Sequence, residues 1–161
     1  MENLREKTCC FTGHRTIPVS VSEALQQKAE KKIMELYNRG VIYYGCGGAL
    51  GFDTLMAQTC FALRDSGSCP QMKVILVYPF DGFTDRWNGI QIATYKELFK
   101  KFDKVVCVSS EASREAYLAR NRHLVGGSAF CIAYCVHQRS GTGYTVRYAQ
   151  KQGVEIYNLA E

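Results

Sequence analysis

The stretch Gly45-Cys46-Gly47-Gly48-Ala49-Leu50-Gly51-Phe52-Asp53 decides how the chain is read. It holds four of the 14 glycines, follows the apolar run Val41-Ile42-Tyr43-Tyr44, and leads into a helix-like pattern beginning near Thr54. A strand that passes through a glycine-rich turn into a helix offers backbone N–H groups at a helix N-terminus, where anions bind. Glycine allows the close approach and positive φ that such a turn uses. The same succession of apolar run, turn and helix recurs at Ser140-Gly141-Thr142-Gly143-Tyr144-Thr145. The two loops read as halves of one nucleotide-sized site.

On either side of these loops, apolar runs alternate with helical spacing. Short strands are predicted over 7–11, 41–44, 73–77, 104–108, 129–136 and 154–159. The first helix carries Leu25, Ala29, Ile33 and Leu36 on one face, behind a capping-box pattern at Ser20 and Glu23. Further helices are predicted from near Thr54 to Asp65, and over 88–101, 114–125 and 142–152. Six strands alternating with five helices predict an α/β, Rossmann-like, doubly wound parallel sheet in the order 3-2-1-4-5-6. Ligands of such sheets sit at the carboxyl ends of the strands where the order reverses, here expected between strands one and four.

The 161 residues suit a single domain over 1–161, and 47% hydrophobic with 22% charged residues matches a globular protein rather than a disordered one. No apolar stretch approaches the roughly 20 residues that cross a bilayer, and Met1-Glu2-Asn3-Leu4-Arg5-Glu6-Lys7 is too charged for a signal peptide. A cytoplasmic location with no membrane partner is the expectation. The eight cysteines include no C-x-x-C, so reduced, buried thiols are expected. Cys131, Cys135 and His137 would share a strand face but lack a fourth ligand at suitable spacing, and no metal is expected. Between Arg114 and Lys151 six cations face the single anion Glu115, an excess equal to the whole net charge of +5. That bias favours an anionic small molecule or nucleic acid as partner, against the alternative of a solvated basic face.

The first loop lacks the dinucleotide fingerprint G-x-G-x-x-G, because Leu50 stands where the last glycine belongs and Gly51 arrives one residue late. It also lacks a Walker G-K-[ST] ending. Gly45, Gly47, Gly48, Ala49 and Gly51 therefore read either as a phosphate or ribose cradle or as a tight structural turn. In the second loop Thr142 and Thr145 supply hydroxyls, Gly141 and Gly143 allow close approach, and Arg147 supplies a guanidinium. Thr142 as a plain helix cap is the alternative. Thr12, Gly13, His14 and Arg15 follow the first strand, with His14 suited to a base, a ribose or acid–base work and Arg15 to phosphate. Asp53 either stabilises its own helix through the dipole or accepts from a sugar hydroxyl. Asp53 and His14 are the catalytic candidates. Arg86 and Trp87 are read as closing over a ligand, the indole stacking on a base, although a lone tryptophan equally serves a core.

The runs F-T-G-H-R (Phe11 to Arg15), G-G-A-L-G-F-D-T-L (Gly47 to Leu55), Pro79-Phe80 with Arg86-Trp87, R-N-R (Arg120 to Arg122) and G-T-G-Y-T-V-R-Y-A (Gly141 to Ala149) resemble the YpsA-like family of the SLOG superfamily. That superfamily includes the LOG phosphoribohydrolases and the DprA (Smf) proteins, which load recombinase onto single-stranded DNA. The resemblance implies a Rossmann-like sheet that binds nucleotides or their derivatives, and it adds Asn121 and Arg122 to the ligand-binding candidates. It departs from LOG enzymes at one point: against their P-G-G-x-G-T-x-x-E, Arg147 falls on the glutamate position, where a cation cannot stabilise an oxocarbenium-like transition state. Gly126 also replaces an acidic residue of the YpsA-like pattern.

Three functions are thus expected in order. The first is a module that binds a nucleotide-derived ligand such as ADP-ribose or NAD, to sense or sequester it. The second is a LOG-like N-glycosidic hydrolase with Asp53 as its candidate carboxylate, and the third a DprA-like binder of single-stranded nucleic acid. A homo-oligomer is compatible with each.

Overall fold

The computed structural model describes residues 3–161. After a short 3₁₀ turn, Leu4–Lys7, the elements run β1 (Thr8–Gly13), α1 (Val19–Asn38), β2 (Tyr43–Cys46), α2 (Phe52–Asp65), β3 (Lys73–Tyr78) and α3 (Gly89–Phe99). They continue with β4 (Lys104–Cys107), α4 (Arg114–Gly126), β5 (Phe130–Tyr134), α5 (Gly141–Lys151) and β6 (Glu155–Asn158). All six strands pair in parallel in one sheet, as the alternation predicted.

The strand order is β4-β3-β2-β1-β5-β6 and not the expected 3-2-1-4-5-6. β4 extends the β3 edge, while β5 takes the place beside β1. Burial across the sheet goes with the exchange. Cys131 to Tyr134 of β5 are buried, as a strand covered on both faces must be, whereas no residue of β4 is buried and Lys104 heads it. Order therefore reverses between β1 and β5, and the crevice expected at the reversal moves with it.

Right-handed crossovers put helices on both faces. α1, α2 and α3 lie side by side on one face, and α4 packs with α5 on the other. α1 fixes itself through Leu25, Ala29, Ile33 and Leu36, which join Phe52, Met56 and Cys60 of α2 over Cys9, Phe11 and Tyr44 of the sheet. The helix begins at Val19 behind Pro18, and no side chain caps it, so the Ser20–Glu23 capping box does not form. Across the sheet, Leu124 and Val125 of α4 meet Ala149 of α5 over Cys10, Val77 and Cys131. The eight cysteines are free thiols, and all but Cys107 are buried. α3 contributes no buried residue, although Asn88 and Gln91 close a capping box at its start. Among the described residues no helix is long and apolar enough to cross a membrane.

Candidate functional site

β1 ends in the middle of the sheet, and its continuation, Gly13-His14-Arg15, crosses the reversal between β1 and β5. His14 bridges that gap. Its Nε2 accepts from the backbone N–H of Val136 at 2.8 Å and of His137 at 3.2 Å, so the imidazole joins the loop after β1 to the loop after β5. Accepting at Nε2 requires the neutral ring with its proton on Nδ1. Burial, reinforced by the neighbouring His137, lowers the His14 pKa and favours that form.

The loop that His14 holds leads into α5. Ser140 caps this helix, its Oγ accepting from the Gly143 N–H at 3.0 Å and donating to the His137 carbonyl at 2.6 Å. Ser140, and not Thr142, is thus the N-cap; Thr142 is the second helical residue and is buried. The Arg147 guanidinium donates to the Gln138 carbonyl at 2.7 Å, which ties the loop down from the helix side. Thr145 is buried and its hydroxyl donates to the Gly141 carbonyl at 3.0 Å.

The first glycine loop meets this assembly from the other side of β1. Gly51 takes φ +75° and ψ −117°, and a Cβ there would stand 2.3 Å from the Arg15 carbonyl oxygen, so only glycine lets the loop close against residues 14–15. The Phe52 N–H then donates to the His14 carbonyl at 3.1 Å. Asp53, 7% exposed, turns one carboxyl oxygen back to the Ala49 N–H at 3.2 Å. Its other oxygen, Oδ1, is buried without a hydrogen-bond partner among the described residues. Arg120 of α4, 5% exposed, donates to the Gly47 carbonyl, and its Nε donates to the Asn121 side chain at 2.7 Å. A Cβ on Gly47 would lie 2.8 Å from Asp53 Oδ2 and 2.9 Å from Arg120 Nη1, so this glycine is the gap across which the two charges face each other. Burial raises the Asp53 pKa, with Arg120, the Ala49 N–H and Arg15 pulling against it. Burial likewise lowers that of Arg120, opposed by Asp53.

These pieces enclose a cleft of about 420 Å³. Thr12, Gly13, His14, Arg15, Ala49 and Asp53 line it from the β1 and β2 side, Asn121 from α4, and Gly141 with Thr142 from α5. The two loops predicted to form one site therefore share a cavity. Gly48 and Gly51 line a second cleft of about 560 Å³, whose wall also includes Arg15, Asp53 and Trp87. Gly45 faces away from both, lying within β2 under Leu124. Gly143 and Thr145 brace the start of α5, Arg147 binds the loop backbone, and Arg122 pairs with Glu115. Arg86 is exposed and lines neither cleft. β5 ends at Tyr134, so Cys135 and His137 lie beyond the strand face they were expected to share, and the Cys135 thiol donates to the His137 carbonyl.

Sequence reasoning passed over Arg114, Tyr117 and Arg120, which line the smaller cleft. Tyr117 has the Arg15 guanidinium 5.3 Å and the Arg120 guanidinium 5.8 Å from its ring centre. The signal for Arg120 was present: Ala116, Arg120 and Leu124 fall four apart, which sets an arginine on the buried face of α4.

Comparison with known proteins agrees with the fold. Solved structures of DNA processing protein A align with nearly the whole sheet. The Helicobacter pylori protein, described for its single-stranded DNA binding mode, gives a TM-score of 0.64 at 19% identity over 94% of this chain and 64% of its own. The Streptococcus pneumoniae protein gives 0.64 at 21% identity, over 96% of this chain and 50% of its own. Curated relatives include the UPF0398 protein SSP1297 of Staphylococcus saprophyticus, 26% identical over 62% of this chain and 55% of the relative. A UPF0398 protein of Oenococcus oeni is 27% identical over 57% of this chain and 48% of the relative. The chain spans about half the length of these curated relatives. The profile of the YspA SLOG family matches residues 9–159, from β1 through the end of β6, and the chain belongs to that family.

Proposed function

We propose that this protein binds a nucleotide or nucleotide-derived small molecule, of the ADP-ribose or NAD kind, and acts as a sensing or sequestering module. The observation that carries the reading is the convergence of the two glycine loops on one cleft of about 420 Å³, a volume within the usual range for small-ligand sites. The cleft offers Arg15 and Arg114 and the N-terminal turn of α5 to an anion, and the Asp53 carboxyl stands in its wall. Thermal-shift measurement with ADP-ribose, NAD and AMP tests the reading. A ligand at one hundred times its Kd adds about 2.7 kcal/mol of stability. Absence of any shift at millimolar ligand would refute it.

A second reading, hydrolysis of an N-glycosidic bond, draws support from Asp53, a carboxyl in the wall of the cleft whose pKa burial raises. Release of free base from nucleoside monophosphates or NAD, abolished in Asp53→Asn, is the expected result. Binding of single-stranded nucleic acid is a third, supported by the resemblance of the fold to DNA processing protein A and by the cationic segment between Arg114 and Lys151. It requires oligonucleotide affinity that falls steeply with salt.

A further inference from the structure

The two clefts are neighbours with opposite character. They share Arg15 and Asp53, which stand at the junction. On the α5 side the wall is cationic, adding Arg114 and Arg120. On the α3 side Arg15 and Asp53 are the only charged residues lining the cavity, and the remaining wall is aromatic, aliphatic and neutral polar. The half-buried Trp87 is held there edge-on against Phe83 and Tyr95, with ring centres 5.5 and 5.8 Å away and planes at 83° and 87°. Those contacts fix the indole without stacking on it. Gln58, Gln91, Thr54 and Thr94 line the same cavity and bring amides and hydroxyls able to meet the edge of a heterocycle.

We propose that the cleft of about 560 Å³ is a base subsite, so that the ligand is a base-bearing nucleotide and not a sugar phosphate. The base lies against Trp87, the ribose sits at the junction beside Arg15 and Asp53, and the phosphate reaches the start of α5. This assignment rests on the reading that the smaller cleft holds the phosphorylated sugar. Three observations support it: the division of charge between two adjoining cavities, a fixed indole in the one whose charges are confined to the junction, and the buried Asp53 carboxyl where they meet. An aromatic platform accepts a base through its π-face and gains more from it than from the smaller C–H face that a phosphorylated sugar offers.

Trp87 is the only tryptophan in the chain, so its emission reports this cleft alone. Ribose 5-phosphate, AMP and ADP-ribose would be titrated against the full chain, following thermal stability and Trp87 emission in parallel. All three ligands are expected to raise the Tm. AMP and ADP-ribose alone should change the emission in a saturable way, and should bind roughly tenfold or more tightly than ribose 5-phosphate. Gln58→Phe, on the exposed side of α2, fills the cleft and Trp87→Leu removes the platform; each should reduce AMP to the affinity of ribose 5-phosphate and leave the latter unchanged. If AMP raises the Tm while Trp87 emission stays constant, or binds no better than ribose 5-phosphate, the base subsite is refuted and the anion cleft stands. If none of the three ligands changes the Tm, the anion cleft itself is refuted and the base subsite falls with it.

Discussion

Replacing Gly51 by alanine should cost far more than the same change at Gly40, and the difference measures how tightly the first glycine loop is pressed against the end of β1. Both residues have positive φ, +75° at Gly51 and +96° at Gly40. At Gly40 nothing lies within 4 Å of an added Cβ, so the penalty is the backbone conformation alone, about 1–2 kcal/mol. At Gly51 the ψ of −117° makes the conformation still less accessible to an L-residue, about 1–3 kcal/mol. The added carbon there also meets the carbonyl oxygens of Arg15 and His14 at 2.3 and 2.6 Å. These are backbone atoms with no rotamer to escape into, so an overpacking cost of about 1–3 kcal/mol adds to the first. The sum is roughly 2–6 kcal/mol, a large share of the ~5–15 kcal/mol that holds a domain folded. For a chain of this length each kcal/mol moves Tm by about 2–4 °C. Gly51→Ala should therefore lose about 4–24 °C, against about 2–8 °C for Gly40→Ala. Differential scanning calorimetry of both variants decides the matter. Equal losses would mean that the loop does not approach residues 14–15 as described.

Because burial outweighs Arg120 and Arg15 at Asp53, the folded protein holds that proton more tightly than the unfolded chain does. Stability should then fall as pH rises from the ordinary value of 3.8 through the raised folded value, and Asp53→Asn should remove that slope and raise Tm at neutral pH; a lower neutral Tm with the slope intact would contradict this. His14 acts in the opposite sense: its lowered pKa gives stability that is full above 6.5 and is lost as pH falls through the folded value. His14→Phe should abolish that loss and, by removing the acceptor shared by the exposed Val136 and His137 N–H groups, cost about 0.5–1.5 kcal/mol at neutral pH, as read by chemical denaturation. Ser140→Ala, which removes the cap of α5, should cost about 1 kcal/mol and weaken phosphate-bearing ligands in calorimetric titration.

The layered architecture was legible because each strand and helix announced itself through period and punctuation: the buried face of α1, the apolar runs of β2 and β3, and the glycine turns between them. Strand order was not, since Lys104 to Cys107 and Phe130 to Tyr134 are both short apolar runs. Which of them sits beside β1 depends on burial across the whole sheet and not on local pattern. Within the site, residues adjoining the strand ends were readable from chain position, and Thr12, His14, Arg15, Asp53 and Thr142 do meet in one cleft. Side-chain direction was harder. In the R-N-R run the choice fell on Asn121 and Arg122, but two residues of helix carry Arg122 to the surface, where it pairs with Glu115, while Arg120 points inward to Gly47. Arg147 was read as a ligand for phosphate from its place in the first turns of α5, and it binds the Gln138 carbonyl.

The strand order also determines which parts of the molecule are free to change. The smaller cleft grows from β1, a central strand with neighbours on both sides, and any alteration there disturbs the centre of the sheet. Trp87 and Tyr95, by contrast, belong to the segment joining β3 to the outermost strand and to a helix with no buried residue. Substitution in that peripheral segment alters the wall of the larger cleft at little cost to folding. If the base subsite proposed above holds, a change of specificity requires redecorating one flank of the structure only.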